Sequence, residues 1–325
     1  MSKEKFFNGL KYITDECVLE NTKIIFDEKE PNTLVKFYSN NEYSQDAVMN
    51  SYLYLSHYTQ FNDAFEANES LIDLSMLDKT TYEDLFHNQE LDIPCSYEED
   101  KRCNFFWARF MYMTIFDFMG SVSLTTSDNT LNTLMWSHYA TDKGFLIEFN
   151  KTSLLGSIND DYSMIFFPIR YVDELKQFNP LDAKYGGAHG LYLSLIGMKS
   201  MDWAYEREWR ITCSRKSKNL FIPETFLKPK IDGHERKLFY KDCVNKIILG
   251  SDFFNNADKS GSIPPLSYKL SDKDTEFVTY LYENYNDRLF LCDILPYEKS
   301  VKRALIKIEL KKTKGDNVFD LIYHF

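Results

Sequence analysis

Short β-prone runs of five to nine residues, set between turn-forming residues and not interleaved regularly with helical periods, constrain this fold most. TLVKFY (33–38), YLYLS (52–56), SVSLTT (121–126), FLIEF (145–149), MIFFPIRYV (164–172) and VNKIILGS (244–251) all read as strands. Pro168 cannot donate to a ladder, so it predicts an edge or bulged strand for 164–172. ALIKIEL and VFDLIYHF flank KKTKGDN, whose Gly-Asp pair predicts a hairpin in the C-terminal segment 299–325. Helices are expected over 104–119, capped by Asn104, over 130–140, and over 191–201. In the second of these, Leu131, Leu134, Met135 and His138 share one face and Trp136, Tyr139 and Ala140 a second, which predicts cover on both sides. Ser127-Asp128-Asn129 before it offers cap candidates, Thr126-Ser127-Asp128 leaves free N–H groups able to meet an anion, and Gly144 is placed to end the turn after it. Strands and helices mixed without βαβ alternation favour α+β: one domain, 1–325, with a mixed, mostly antiparallel sheet and packed helices. The acidic stretch 83–101 reads as a solvated insertion.

Composition excludes several function classes. Apolar residues make up 44% and aromatics 16%, as expected of a chain that buries a core. A net charge of -11 argues against coating nucleic acid through its phosphates. The one basic cluster, Lys299, Lys302, Arg303, Lys307, Lys311, Lys312 and Lys314, could meet a nucleic acid or an acidic partner, although solvated edge protection is the plainer reading. The N-terminus has no apolar core of signal-peptide length. The aromatic run 104–120 is interrupted by Arg109 and Asp117 and is too short to span a bilayer. Six scattered cysteines without CxxC spacing read as free thiols of a cytoplasmic protein, and neither they nor the six histidines indicate a metal site.

Three constellations carry chemistry. The first is WAYEREWRITC, 203–213. Read as a strand from 205, it puts Tyr205, Arg207, Trp209, Ile211 and Cys213 on one face, and Glu206, Glu208, Arg210 and Thr212 on the other. The two carboxylates then lie roughly 6.6 Å apart. Like charges that close raise at least one pKa unless cations such as Arg210 and Lys199 offset them. The pair reads as a catalytic base or cation stabiliser, or as a solvated strand face of little consequence. The second is Phe61-Asn62-Asp63-Ala64-Phe65-Glu66, either a plain Asx-turn or a loop that aims Asp63 or Glu66 into a pocket. The third is Trp136-Ser137-His138-Tyr139, where His138 is a core or a catalytic histidine. Ser137 points elsewhere and is no nucleophile partner for it.

In this order the pieces resemble the bacterial family called domain of unknown function 2971. Its pattern has a Lys-aromatic strand, matched by Val35-Lys36-Phe37. It continues with a Phe-Asn-Asp-Pro-Phe-Glu loop, matched by 61–66 with Ala64 for proline, and with Leu-Met-Trp-x-His-Tyr-Ala, matched by 134–140. A Lys-x-x-x-Trp-x-Tyr-Glu-x-Glu-Trp-Arg block follows, matched by Lys199, Trp203, Tyr205, Glu206, Glu208, Trp209 and Arg210. The resemblance covers about 33–260. It suggests an effector or sensor of bacterial anti-phage defence, with a phage protein or a partner defence protein as binding partner. Lys36, Ser123–Ser127 and Glu206–Glu208 are also similar in order to the Arg, Ser-Thr-Ser and Glu-x-Glu elements of ADP-ribosyltransferases. That likeness implies an ADP-ribosyltransferase-like fold with NAD as substrate. Glu208 would stabilise an oxocarbenium-like cation, Glu206 would orient the acceptor, and His138 completes the catalytic set. Lys36, Asn62, Asp63, Trp136, Tyr139, Lys199, Trp203, Tyr205 and Arg210 would bind substrate, with Trp136 or Trp203 stacking on nicotinamide. The alternatives are a Mg²⁺ nuclease using Asp63, Glu66 and the two glutamates, and a non-catalytic sensor.

Overall fold

The structure, a computed structural model, describes residues 3–7, 10–14, 23–26, 28–71, 73, 78–80, 98, 119–158, 162–177, 195–215, 236–261, 265–313, 315 and 317–324. The helix expected from 104 lies outside them except for Met119, which begins a strand. So do nearly all of the acidic stretch 83–101, and Lys314.

Three short strands, β1 (Lys3–Phe7), β2 (Leu10–Thr14) and β3 (Lys23–Ile25), form an antiparallel sheet of their own. Next come β4 (Thr33–Tyr38), helix α1 (Glu42–Met49), β5 (Tyr52–Tyr54) and β6 (Met119–Thr126). A short helix α2 (Thr133–Met135) leads to β7 (Phe145–Asn150), α3 (Lys151–Ser157), β8 (Tyr162–Pro168), β9 (Arg170–Val172), β10 (Met198–Ser200) and β11 (Glu208–Arg215). The chain continues through β12 (Lys237–Phe239), β13 (Val244–Gly250), β14 (Asp258–Ser260), β15 (Leu266–Lys269) and α4 (Asp272–Tyr285). It closes with β16 (Leu289–Tyr297), β17 (Ser300–Lys312) and β18 (Val318–His324).

Eleven strands make one sheet in the order β14-β15-β18-β17-β16-β13-β7-β4-β6-β11-β8. Every neighbour pair is antiparallel except β13 with β16. The mixed, mostly antiparallel α+β expectation therefore holds. One face carries the main core, with Leu34, Phe145, Phe149, Ile211 and Leu281 fully buried beneath α4. Burying each such side chain is worth about 1.5–3 kcal/mol, so this face dominates the fold's stability. The other face packs Val35, Phe37, Leu146, Ile248 and Cys292 against Met135, Trp136 and Ala140. β8 is an edge strand, as Pro168 requires, and β17–β18 is the expected C-terminal hairpin. Three of its cations have local neighbours: Arg303 pairs with Asp142 at 2.7 Å, Lys302 lies 4.0 Å over the Tyr297 ring, and Lys311 faces Asp320 across the ladder. No helix among the described residues is long and apolar enough to cross a membrane.

Two helical expectations fail. Residues 198–200 form β10, parallel to β9, not the end of a helix. The 130–140 helix is shorter than its pattern suggests. Ser127–Asn129 is a separate 3₁₀ turn, and Asn132, not Ser127, Asp128 or Asn129, caps α2 by accepting from Leu134 N–H at 2.9 Å. Trp136–Ala140 then widens to a π turn. Met135, Trp136 and Ala140 go inward, while Leu131 and Leu134, which precede the π turn, are 42% and 47% exposed and His138 faces solvent. Thr141 and Asp142, both left-handed, end the turn. Gly144 serves a close approach instead, because a Cβ there would sit 2.0 Å from the Tyr38 carbonyl oxygen.

Candidate functional site

The site is assembled by a bend. Residues 205–207 are not strand: Met201–Glu206 form a 3₁₀ turn, Arg207 is left-handed at φ 46°, and β11 begins at Glu208. Tyr205 and Arg207 therefore do not share the face of Trp209. Arg207 is exposed and lies 3.7 Å from Asp128. From Glu208 onward the expected alternation holds, with Trp209, Ile211 and Cys213 in the main core and Glu208, Arg210 and Thr212 opposite. The bend is tied down by side chains from the sheet and the cap. The Asn129 amide donates to the Tyr205 and Glu206 carbonyls at 2.9 and 2.7 Å. The Thr125 hydroxyl donates to the Glu206 carbonyl at 2.5 Å, and Tyr171 Oη accepts from Glu208 N–H at 2.8 Å.

Turning the chain back brings both glutamates onto one cation. Lys199 Nζ, on β10, lies 2.8 Å from Glu206, 2.7 Å from Glu208 and 3.4 Å from Glu66. Arg210 donates through Nε and Nη2 to Glu208 Oε1 at 2.9 and 2.6 Å, pairs with Glu66 through Nη1, and stacks over the Phe61 ring at 4.7 Å. All five charged groups are buried. Burial pushes the Glu208 carboxyl up, but Arg210 and Lys199 outweigh it and take the group down to about 2. Glu66 and Glu206 end above the ordinary carboxylate range, because burial outweighs their cations. Burial would lower Lys199, yet Glu208, Glu66 and Glu206 hold its ammonium well above its usual value.

A half-open cleft of about 110 Å³ reaches this network. Val35, Lys36, Phe37, Phe61, Leu124 and Met135 wall it, and Asn62, Glu66, Ser123, Thr125, Tyr139, Lys199, Glu206 and Glu208 give it polarity. The Tyr139 hydroxyl donates to Glu206 and accepts from the Asn62 amide at 2.9 Å. Lys36 Nζ donates to the Ser123 carbonyl at 3.3 Å and has no ion-pair partner among the described residues. Burial lowers it to about 8, with Glu208 pulling the other way.

Of the expected residues, Lys36, Asn62, Tyr139, Lys199, Glu206 and Glu208 line the cleft, with Arg210 directly behind Glu208. Asp63 does not. It is the Asx-turn residue, its Oδ1 accepting from Phe65 N–H at 2.9 Å, and Glu66 is the loop acid that reaches the site. Trp136 is fully buried, donates to the Thr130 carbonyl at 2.7 Å and cannot stack on a ligand. His138, Tyr205 and Trp203 lie outside the cleft wall. The His138 Nδ1 sits 2.8 Å from Tyr205 Oη, and the Trp203 and Tyr205 rings are 6.2 Å apart. Phe61, Thr125 and Met135 were not foreseen. Thr125 was readable from the alternation in SVSLTT, which puts it on the same face as Ser123.

Fold and site define an α+β protein whose central sheet carries a buried glutamate–lysine–arginine network at the wall of a small cleft. Residues 135–211 match the sequence profile of the family described as Protein of unknown function (DUF2971). The match takes in the Trp136–Ala140 turn, Lys199 and the Glu206–Glu208 bend, whereas Lys36 and the 61–66 loop join them only in space. No curated protein and no solved structure matches the chain.

Proposed function

We propose that the cleft is the active site of an NAD-consuming enzyme, a glycohydrolase or ADP-ribosyltransferase, acting as an effector of bacterial defence against phage. One observation carries the chemistry: Lys36, Ser123 and Glu208 come from adjacent strands, β4, β6 and β11, and line one cleft with Glu208 held ionised. When the nicotinamide–ribose bond breaks, its electron pair leaves on the ring nitrogen and the ribose carbon becomes cationic. Glu208, kept ionised beside Lys199 and Arg210, supplies a fixed negative charge there. Fixed, desolvated charge of that sign favours the developing cation. Glu208 takes that role. Glu206, whose proton affinity is raised, orients water or an acceptor hydroxyl and takes the proton it releases. A volume of about 110 Å³ is below the roughly 150 Å³ of a cavity that takes benzene, so the cleft admits one ring at most and the rest of a dinucleotide stays outside. Lys36 is the cation left for the substrate's anionic groups.

The metal-nuclease alternative meets a filled site: the oxygens of Glu66, Glu206 and Glu208 already surround Lys199. A non-catalytic sensor is the second reading, favoured by the engagement of both Glu208 oxygens with cations. Incubation with NAD, with nicotinamide measured by chromatography, tests the choice. Wild type should release nicotinamide and Glu208→Gln should not. No release by folded protein that protects cells from phage, together with retained protection by a Glu206→Gln/Glu208→Gln variant, selects the sensor.

A further inference from the structure

The β16–β17 hairpin outruns the sheet. The ladder of β13 with β16 ends at Gly250–Cys292 and that of β17 with β18 begins at Lys307–His324, whereas β16 and β17 stay paired out to Tyr297–Ser300. Five residues at about 3.3 Å each carry the tip roughly 16 Å past Cys292. Residues 296–302 are exposed throughout. They include Tyr297 and Val301, the latter 69% exposed, with exposed Ile294 just before them. Glu298 against Lys299 and Lys302 gives this apolar tip one positive charge in excess at neutral pH. A groove of about 960 Å³ between α1, the first turns of α4 and the β5–β12 pair has the complementary character. Tyr43, 77% exposed, supplies its apolar lining together with Tyr52, Tyr54 and Met49. Glu42, Asp46 and Glu276 against Lys237 and Lys273 give it one negative charge in excess. A centre of tyrosine and methionine ringed by charged groups is the anatomy of a protein interface.

Both features stand at one end of the sheet. Tyr38 pairs with Phe145, Phe145 with Leu249, and the next residue of β13, Gly250, with Cys292. The chain leaves β4 at Tyr38 to enter α1, and β16 runs on from Cys292 into the arm. In the order β16-β13-β7-β4, three strand spacings of about 4.8 Å, roughly 14 Å in all, separate the two. We infer that the arm docks in the groove of a second copy of this chain, and that a two-fold axis at this end of the sheet makes the exchange reciprocal. The rotation that sets one arm in the other copy's groove sets the other arm in the first groove, so the contact closes at two copies and does not grow into a filament. Ile294, Tyr297 and Val301 pack on the groove tyrosines, with Lys299 and Lys302 toward Glu42 and Glu276. Pro296 has no N–H to donate, and Pro and Lys at an edge discourage strand addition, so the tip docks through its side chains. A net charge of -11 on each copy opposes association in general, which leaves the local match of a basic tip and an acidic groove to select this approach.

Sedimentation velocity of the full chain tests it. Wild type should be dimeric at concentrations up to about 100 μM, since specific interfaces reach micromolar affinity or better. Val301→Glu and Tyr43→Glu should each sediment as monomers. Both side chains are exposed, so both variants should melt with wild type. Val301→Ser takes the place of Val301→Glu if the latter melts lower. Mixing the two variants should restore pairing, because the intact arm of one meets the intact groove of the other. One contact of two is then lost, so the mixed pair should be about tenfold or more weaker than wild type. A lysine-reactive crosslinker reads it as a dimer yield above that of either variant alone. Monomeric wild type, a dimer that persists in both variants, or no gain on mixing overturns the inference. A dimer lost in Val301→Glu and kept in Tyr43→Glu overturns it too, and makes the contact arm to arm. Monomeric wild type that takes an added lysine- and tyrosine-rich peptide in the groove overturns self-pairing equally, and gives the groove to a foreign partner. None of these outcomes touches the proposed reaction.

Discussion

Replacing Lys199 by methionine probes the network most directly. The side chain is similar in length and the apolar stem is kept, but the ammonium that Glu66, Glu206 and Glu208 share is removed. Arg210 then faces three buried carboxylates alone. Removing one partner from a buried ion pair typically costs about 3–5 kcal/mol, because the remaining charge is left without compensation. At roughly 2 °C per kcal/mol for a long chain, the melting temperature should fall by about 6–10 °C at pH 7. The loss should shrink on acidification. Glu66 and Glu206 already bind protons more tightly than ordinary carboxylates, and without Lys199 they bind them more tightly still. A folded state that holds more protons than the unfolded one gains stability as pH falls toward the ordinary carboxylate pKa. The Lys199→Met deficit should therefore be largest at pH 7–8 and smaller near pH 5, and adding Glu206→Gln should recover part of it. Urea unfolding across that range is the assay. A deficit under about 1 kcal/mol, or one that does not change with pH, would show that these charges are screened by water and refute the buried network.

Tyr139→Phe removes the hydroxyl between Asn62 and Glu206 and should cost about 1.5–3 kcal/mol in urea unfolding, the range for a hydrogen bond to a charged group. It should also raise the Glu206 pKa further, read by carboxylate NMR titration. Gly144→Ala places a Cβ 2.0 Å from one backbone oxygen and 2.8 Å from another, so it should destabilise by about 3 kcal/mol or more, or prevent folding, as judged by expression and melting. Lys36→Met should stabilise the protein at pH 7. The folded pKa of Lys36 is lowered to about 8 from 10.5, so its charged form is disfavoured in the fold below pH 8. That penalty fades as pH rises toward 10.5. The variant's advantage in melting temperature should shrink over the same interval.

The strands were legible because period-two apolar patterns and turn residues act locally. Pro168 at an edge and the Gly-Asp hairpin are read by chemistry a few residues long. The glutamate pair was legible as residues but not as geometry. Strict alternation put Glu206 and Glu208 on one face for the wrong reason, since Glu206 belongs to a turn. What overrides the local pattern is tertiary: Asn129 and Thr125, some eighty residues away in sequence, hold the Glu206 carbonyl and make the bend pay its way. The same holds for Trp136–Ala140, which widens to a π turn that no local signal announces. Of the two loop acids, Asp63 commits its Oδ1 to an Asx-turn within its own loop and stays off the cleft wall. Only the sheet partners give Glu66 its role.

The three motifs are one unit in electrostatic terms. Phe61 and Glu66 from the loop, Tyr139 from the π turn, and Lys199, Glu206, Glu208 and Arg210 from the bend form a connected set in which each carboxylate touches at least one cation. A buried set of this kind is costly when incomplete, since any missing member leaves a desolvated charge. A well-packed apolar cluster would stabilise the same space at least as well, so stability alone does not account for placing five charges here. They do something an apolar cluster cannot: they hold an ionised Glu208 at the wall of the cleft.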